Sequence, residues 1–189
     1  IGVRRRKKPL IRLKKSGRNI KSIKKAERMT LLTKNKSVIV VGGGAAGLMS
    51  AIHSAWSGAE VIIFEKNSRP ARKVLITGKG RCNVTNNCSI ETVMNNTPTN
   101  PKFLYSALNR FSPEDTMSFF EMLGVELKTE RGNRVFPVSD KAKDIADALI
   151  SCAESAGCSI YEKNIKSLII ENNTIKGVKD SNGIEYFAD

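Results

Sequence analysis

The chain has 189 residues, enough for one domain of ordinary size with a real apolar interior. Its formal net charge of +14 would point to a nucleic-acid or membrane-surface protein if it were spread evenly. Residues 1–36, however, hold 15 Lys or Arg against the single acid Glu27, whereas residues 37–189 hold 17 basic and 17 acidic residues and carry no formal net charge. The chain therefore divides into a basic tail, 1–36, and a neutral part, 37–189, whose balance argues against a nucleic-acid partner for the domain itself.

No apolar stretch has the ~20 residues needed to cross a membrane, and the basic N-terminus has no apolar core of the kind a signal peptide carries. A cytoplasmic protein with reduced thiols and no membrane partner is the expectation. The cysteines, Cys82, Cys88, Cys152 and Cys158, fall in two pairs with five residues between members, which is neither zinc nor thioredoxin spacing.

In chain order, Ile1 to Arg28 combines Lys and Arg runs with scattered aliphatics, too few for a core. Three readings stand open. The stretch is a disordered solvated tail, an arm for anionic nucleic acid or lipid, or sequence upstream of a true start at Met29, nine residues before the first strand.

Val38 to Val41 reads as a buried strand that breaks into Gly42-Gly-Gly-Ala-Ala-Gly47 and continues as a helix from Ala45 to Trp56. Gly42-x-Gly44-x-x-Gly47 has the dinucleotide fingerprint spacing: a glycine for the turn, one for close approach of a pyrophosphate, and one for packing of helix on strand. The helix start directs unpaired N–H groups and the positive end of its dipole at phosphates. After Ser57-Gly58, Ala59 to Phe64 is a second buried strand ending in Glu65, which lies 18 residues after Gly47. That is near the ~20 expected for the acid that binds a ribose diol.

A loop rich in Gly, Lys, Arg and Asn follows, Thr77-Gly-Lys-Gly-Arg-Cys-Asn-Val-Thr-Asn86, with backbone suited to lie against a flat or anionic ligand. The segment from there to Asn100 reads as a polar stretch. Pro101 to Phe111 has helical spacing, and Ser112-Pro-Glu-Asp115 opens a second helix that Gly124 ends. Val125–Thr129 and Arg134–Val138 read as strands about Gly132-Asn133. Ser139 or Asp140 is expected to cap a helix through Ala156. Beyond Cys158, a strand at Ser159–Tyr161 precedes three runs, Ile165–Ile170, Thr174–Lys179 and Ile184–Phe187. Their separation by Asn172-Asn173 and Ser181-Asn182-Gly183 predicts an antiparallel meander.

The glycine run, Phe64-Glu-Lys-Asn67, Arg72-Lys73, the Thr77–Asn86 block and Arg134-Val-Phe-Pro-Val-Ser-Asp140 together resemble the BaiN/aminoacetone-oxidase family of bacterial FAD-binding flavoproteins, from about Ser37 to Asp189. The resemblance implies an α/β, glutathione-reductase-like FAD/NAD(P)-binding Rossmann-type domain, of which this chain holds an N-terminal part. It places Gly42, Gly44, Ala45, Ala46 and Gly47 at the FAD pyrophosphate and Glu65 at the adenosine ribose. Lys66, Lys73 and the loop Thr77, Gly78, Lys79, Gly80, Arg81, Cys82 and Asn83 would run beside the rest of the cofactor, and Ile165 would meet adenine through its backbone. Ala71 departs from the family, which has Gly before Arg-Lys.

The implied activity is a flavin oxidoreductase acting on a small-molecule substrate, with NAD(P)H as a transient reductant at most. No residue is nominated as a catalytic acid or base. His53, the sole histidine, lies mid-helix and reads as a packed or surface side chain. A redox-active Cys82/Cys88 pair would need the spacing of four that disulfide reductases use, so Cys82 reads as a loop residue near the flavin. A flavoprotein of RNA modification and a non-enzymatic nucleotide-binding module are the competing classes.

Overall fold

The computed structural model describes residues 36–189 and the two-residue strand Leu13–Lys14. Apart from that strand, the tail and its three readings lie outside the described residues. In chain order the elements are β1 (Leu13–Lys14), β2 (Ser37–Val41), α1 (Ala45–Trp56), β3 (Glu60–Glu65), α2 (Arg72–Ile76), a 3-10 turn (Thr77–Gly80), β4 (Thr85–Asn86) and α3 (Ile90–Asn95). A second 3-10 turn (Pro101–Leu104), α4 (Tyr105–Arg110), α5 (Pro113–Met122), β5 (Leu127–Glu130), β6 (Arg134–Pro137) and α6 (Ala142–Ser155) follow. The chain closes with β7 (Ser159–Glu162), β8 (Ile165–Glu171), β9 (Thr174–Asp180) and β10 (Glu185–Phe187). These elements form two compact units, Ile1–Arg69 with Ala153–Asp189, and Pro70–Cys152.

The first unit is built on a parallel sheet of order β2-β3-β7, with Val38 opposite Val61 and Ile63 opposite Ile160. β3 is central, and its unbroken apolar run follows from having both faces covered. On one face α1 packs against β2 and β3, burying Leu48, Ala51 and Ile52 at helical spacing. On the other face Ile62 and Phe64 form a cluster with Val178 and Tyr186, flanked by Ile39, Ile165 and Ile184. The Phe64 and Tyr186 ring centroids lie 4.6 Å apart in a tilted contact that joins the parallel sheet to the meander.

The meander has the three expected strands, in the order β10-β9-β8, and β1, which was not expected, pairs antiparallel with β10. Asn172 and Asn173, both at positive φ (49° and 58°), make the tight β8–β9 turn that needs two left-handed residues. The β9–β10 corner is held by buried Asp180, whose carboxylate accepts from the N–H groups of Asn182 and Ile184 (both 2.9 Å) and from the Tyr186 hydroxyl (3.1 Å). Burial raises the Asp180 pKa, but these donors and Lys163 outweigh burial and hold it below the usual carboxylate range. Burial and the same carboxylate push Tyr186 up to about 12. Asp189 closes the unit, accepting from the N–H and hydroxyl of Ser37 at 2.8 and 2.9 Å.

The second unit holds an antiparallel sheet of order β4-β6-β5, turned by Gly132 and Asn133 at positive φ. Helix α5 starts as expected, with the full capping box between Ser112 and Asp115 and Pro113 in its first turn. Three expectations need correction. The polar stretch before Asn100 contains α3, capped by the Ser89 hydroxyl, which accepts from the Thr92 N–H at 3.1 Å. Its few apolar residues give too little periodicity for a six-residue helix to be noticed. The helix expected over Pro101–Phe111 is a 3-10 turn followed by the shorter α4. Helix α6 begins at Ala142 rather than directly after Ser139 or Asp140. Asp140 is left-handed (φ 56°) with its carboxylate on Arg81 and Lys128, while Ser139 donates to Asp144 at 2.6 Å. At Ala71 the backbone is left-handed (φ 58°) and the residue is buried, which gives a physical reason for glycine to be favoured there.

Replacing Asp180 by Ala orphans two backbone donors and a buried hydroxyl, and is expected to cost about 2–4 kcal/mol in denaturant unfolding. Asp180→Asn keeps an acceptor and should cost about half as much. Equal losses for the two variants would show that charge, and not the accepting geometry, holds the corner.

Candidate dinucleotide-binding site

The glycine turn begins where β2 ends. Gly42 takes φ 99°, closed to most side chains, and its N–H donates to the Phe64 carbonyl at 2.8 Å. Gly47 is required by packing, because a Cβ there would lie 1.9 Å from the Gly42 carbonyl oxygen and 3.3 Å from Val40 Cγ1. At Gly44 the situation is reversed. A Cβ would meet nothing within 4 Å, so no neighbouring protein atom demands glycine, and the space in front of the turn is open. Gly44 precedes α1 as an extended N-cap without a side-chain cap, and the first turn holds no acid. Gly44, Ala45 and Ala46 are exposed, so the start of a 12-residue helix faces solvent with no acid of its own first turn to satisfy it.

Glu65 is the last residue of β3 and is only 8% exposed. Its Oε2 accepts from the Gly43 N–H at 2.7 Å, and its Oε1 accepts from the backbone N–H and the Nδ2 of Asn67 at 2.9 and 2.5 Å. Burial drives the pKa of this carboxyl up, but the donors from Asn67 and Gly43, with the Lys66 charge, prevail and hold it below the ordinary carboxylate value. Gly43 and Asn67 were not anticipated from sequence. Both act through a backbone N–H, and only the closeness of Asn67 to the acid hints at its part. Lys66 is exposed beside this group, and Ile165 lies half-buried at the start of β8 against the Phe64–Tyr186 cluster.

The remaining expected residues belong to the second unit. Lys73 is exposed on the five-residue α2. In the loop, Gly78 (φ 54°), Lys79 (φ 58°), Gly80 (φ 85°) and Cys82 (φ 60°) are all left-handed, costly for the two that are not glycine. A Cβ on Gly78 would fall 2.9 Å from the Asn83 nitrogen. The Thr77 hydroxyl donates to the Val74 carbonyl at 2.6 Å, and the Arg81 and Cys82 N–H groups return to Gly78 and Thr77 carbonyls. The Arg81 guanidinium reaches Glu130 at 2.5 Å and Asp140 at 2.6 Å and lies over the Phe136 ring, its centre 4.2 Å from the centroid. The hydrogen bonds it donates to Glu130 and then Asp140 raise its pKa further. Arg81 thus fastens the loop to β5 and the β6–α6 connection.

The four cysteines are free thiols. Burial pushes the Cys82 thiol up, against a hydrogen bond with Thr77, and burial likewise raises Cys152. His53 is exposed on α1 with its ring edge-on to Trp56 at 5.2 Å. Among the described residues no group of His, Cys, Asp or Glu is placed to hold a metal, and no helix is long and apolar enough to cross a membrane.

A parallel strand, glycine turn, uncapped helix, second strand and terminal acid, backed by a meander, define an α/β domain of Rossmann type. The chain belongs to the family described as the HI0933-like protein Rossmann domain, whose model matches residues 36–189. It is 36% identical over 112 residues to the 3-dehydro-bile acid delta(4,6)-reductase of Clostridium scindens, covering 58% of this chain and 27% of that protein. It is 32% identical over 116 residues to the ribosomal RNA dihydrouridine synthase of Escherichia coli, covering 61% and 28%. The matched region is thus little more than a quarter of the length of either relative. Among solved structures, a 3-ketosteroid-delta4-(5alpha)-dehydrogenase from Rhodococcus jostii RHA1 superposes with a TM-score of 0.60 at 15% identity, covering 86% of this chain and 45% of that one. At that identity the likeness concerns the fold.

The depressed Glu65 pKa makes a signed prediction. A carboxyl held below its ordinary 4.5 stabilises the fold fully above that pH and loses the contribution as pH falls through the lower, folded value. Denaturant unfolding at about pH 7 and about pH 4 should therefore show Glu65→Gln less stable at neutral pH but with a smaller acid loss than wild type. An equal acid loss in both proteins would remove Glu65 from the acid response.

Proposed function

We propose that this chain supplies the ADP-binding half of the FAD site in a flavin-dependent oxidoreductase. The observation that carries the reading is the exposed, uncapped start of α1 in front of an open Gly44, with the ionised Glu65 fixed at the adjoining strand end. The backbone N–H groups of the turn would hold the pyrophosphate, and the Glu65 carboxylate would accept from the adenosine ribose and repel a 2′-phosphate. FAD is favoured over NAD by the family and by the meander β8–β10, which stands where a doubly wound NAD domain would place another helix and strand.

Bound FAD would supply a two-electron hydride carrier. Two relatives are named for adding hydrogen across a carbon–carbon double bond, one in a bile acid and one in uridine. By that analogy the net reaction is reduction of a conjugated double bond. Hydride goes to the electron-poor carbon and a proton to its neighbour, with NAD(P)H as the electron source leaving as NAD(P)+. The work assigned to this chain is to bind, orient and electrostatically complement the nucleotide end of the cofactor. A small-molecule substrate of the BaiN/aminoacetone-oxidase type is the preferred reading. The likeness to the ribosomal RNA dihydrouridine synthase favours a second, in which the double bond belongs to RNA. That reading needs a basic surface, and the net positive charge of this chain is confined to residues 1–36.

The full-length protein should purify yellow and release FAD on denaturation, with NAD(P)H bleaching the flavin without being retained. A colourless protein that takes up no FAD yet binds NAD stoichiometrically would contradict the proposal. RNA affinity that falls steeply with salt, by a log–log slope of about −0.7 per phosphate contacted on a single strand, would favour the second substrate class.

A further inference from the structure

We infer that Asn67 is a positioning residue for ribose recognition, holding Glu65 so that it offers one lone pair, on Oε2, to a single ribose hydroxyl. The inference rests on the dinucleotide reading above. Immediately after β3 the chain turns back, and Asn67 presents two donors to one oxygen, its N–H at 2.9 Å and its Nδ2 at 2.5 Å from Glu65 Oε1. A carboxylate oxygen offers about two acceptor sites, so Asn67 alone fills Oε1. Oε2 accepts the Gly43 N–H at 2.7 Å and keeps one site. A side chain 8% exposed, with bonds on both oxygens, has little freedom to rotate and present another face. A ribose diol brings two hydroxyls, but this arrangement accommodates one, and the other must find a partner elsewhere.

The role differs from merely tightening a turn. A turn-forming Asn would support the local backbone and affect every nucleotide alike. An Asn that saturates Oε1 decides how many ribose hydroxyls count. Removing its Nδ2 reopens Oε1 and frees the carboxylate to swing, so affinity should fall and the two hydroxyls should become more nearly equivalent.

The test uses the full-length protein stripped of flavin, titrated calorimetrically with FAD, ADP, 2′-deoxy-ADP and 3′-deoxy-ADP. For wild type, loss of one hydroxyl should weaken binding about tenfold and loss of the other less than about twofold. Asn67→Ala should weaken FAD and ADP about tenfold and bring the two deoxy penalties within about twofold of each other. Asn67→Ser, which keeps the backbone donor and a side-chain donor, should recover part of the lost affinity and asymmetry. Equal penalties for the two deoxy nucleotides in wild type would overturn the inference. So would an Asn67→Ala variant that weakens all four ligands by one factor with the asymmetry intact, or one that changes nothing. If Asn67→Ala does not fold, the wild-type asymmetry and Asn67→Ser decide. ADP binding without FAD binding in wild type would remove the cofactor reading and leave this inference to be judged on ADP, whereas binding of neither would remove both.

Discussion

The first unit depends on keeping an ionised carboxylate buried at the end of its central strand. Taking a carboxylate out of water is expensive, and it is tolerated only where donors replace the lost hydration. At Glu65 those donors come from two places: the glycine turn, through Gly43, and the chain just past β3, through Asn67. The anion therefore joins the glycine turn to the chain just past β3, the two segments proposed to meet a dinucleotide. Charge-assisted hydrogen bonds of this kind are stronger than neutral ones, which suits a turn with no side-chain cap of its own.

Packing supplies the remaining constraint. Gly47 brings α1 onto the turn more closely than any side chain allows, and the buried run Val61–Phe64 is held between that helix and the meander. The helix start is thereby aimed by the core and needs no contact of its own. In the second unit the left-handed loop around Gly78 to Cys82 is fastened by the Arg81 ion pairs, a separate device in which one cation engages two carboxylates and an aromatic face.

What could be read from sequence was what is local. The glycine spacing, the acid after β3, the capping box at Ser112 and the asparagine doublet at Asn172 each carry their geometry within a few residues. What could not be read is either weakly periodic or remote in sequence. Helix α3 has six residues and no buried side chain, so its apolar spacing says little. The partners of Arg81 are 49 and 59 residues away, so its pairing with Glu130 and Asp140 leaves no mark in the local sequence. Asp140 resembled a helix cap because an acid before a helix commonly is one, but its left-handed backbone and ion pairs take it out of that position. The parts of Gly43 and Asn67 involve backbone donors, which every residue other than proline has, so residue type gives little sign of them.

We propose Glu65, as the turn and Asn67 hold it, as the nucleotide-recognising acid. Calorimetric titration of FAD into the flavin-stripped full-length protein, wild type against Glu65→Ala, tests it most directly. Loss of a charged contact worth roughly 1.5–3 kcal/mol predicts a ten- to hundredfold weaker affinity in the variant. Unchanged affinity in a variant shown by circular dichroism to be folded would contradict the account.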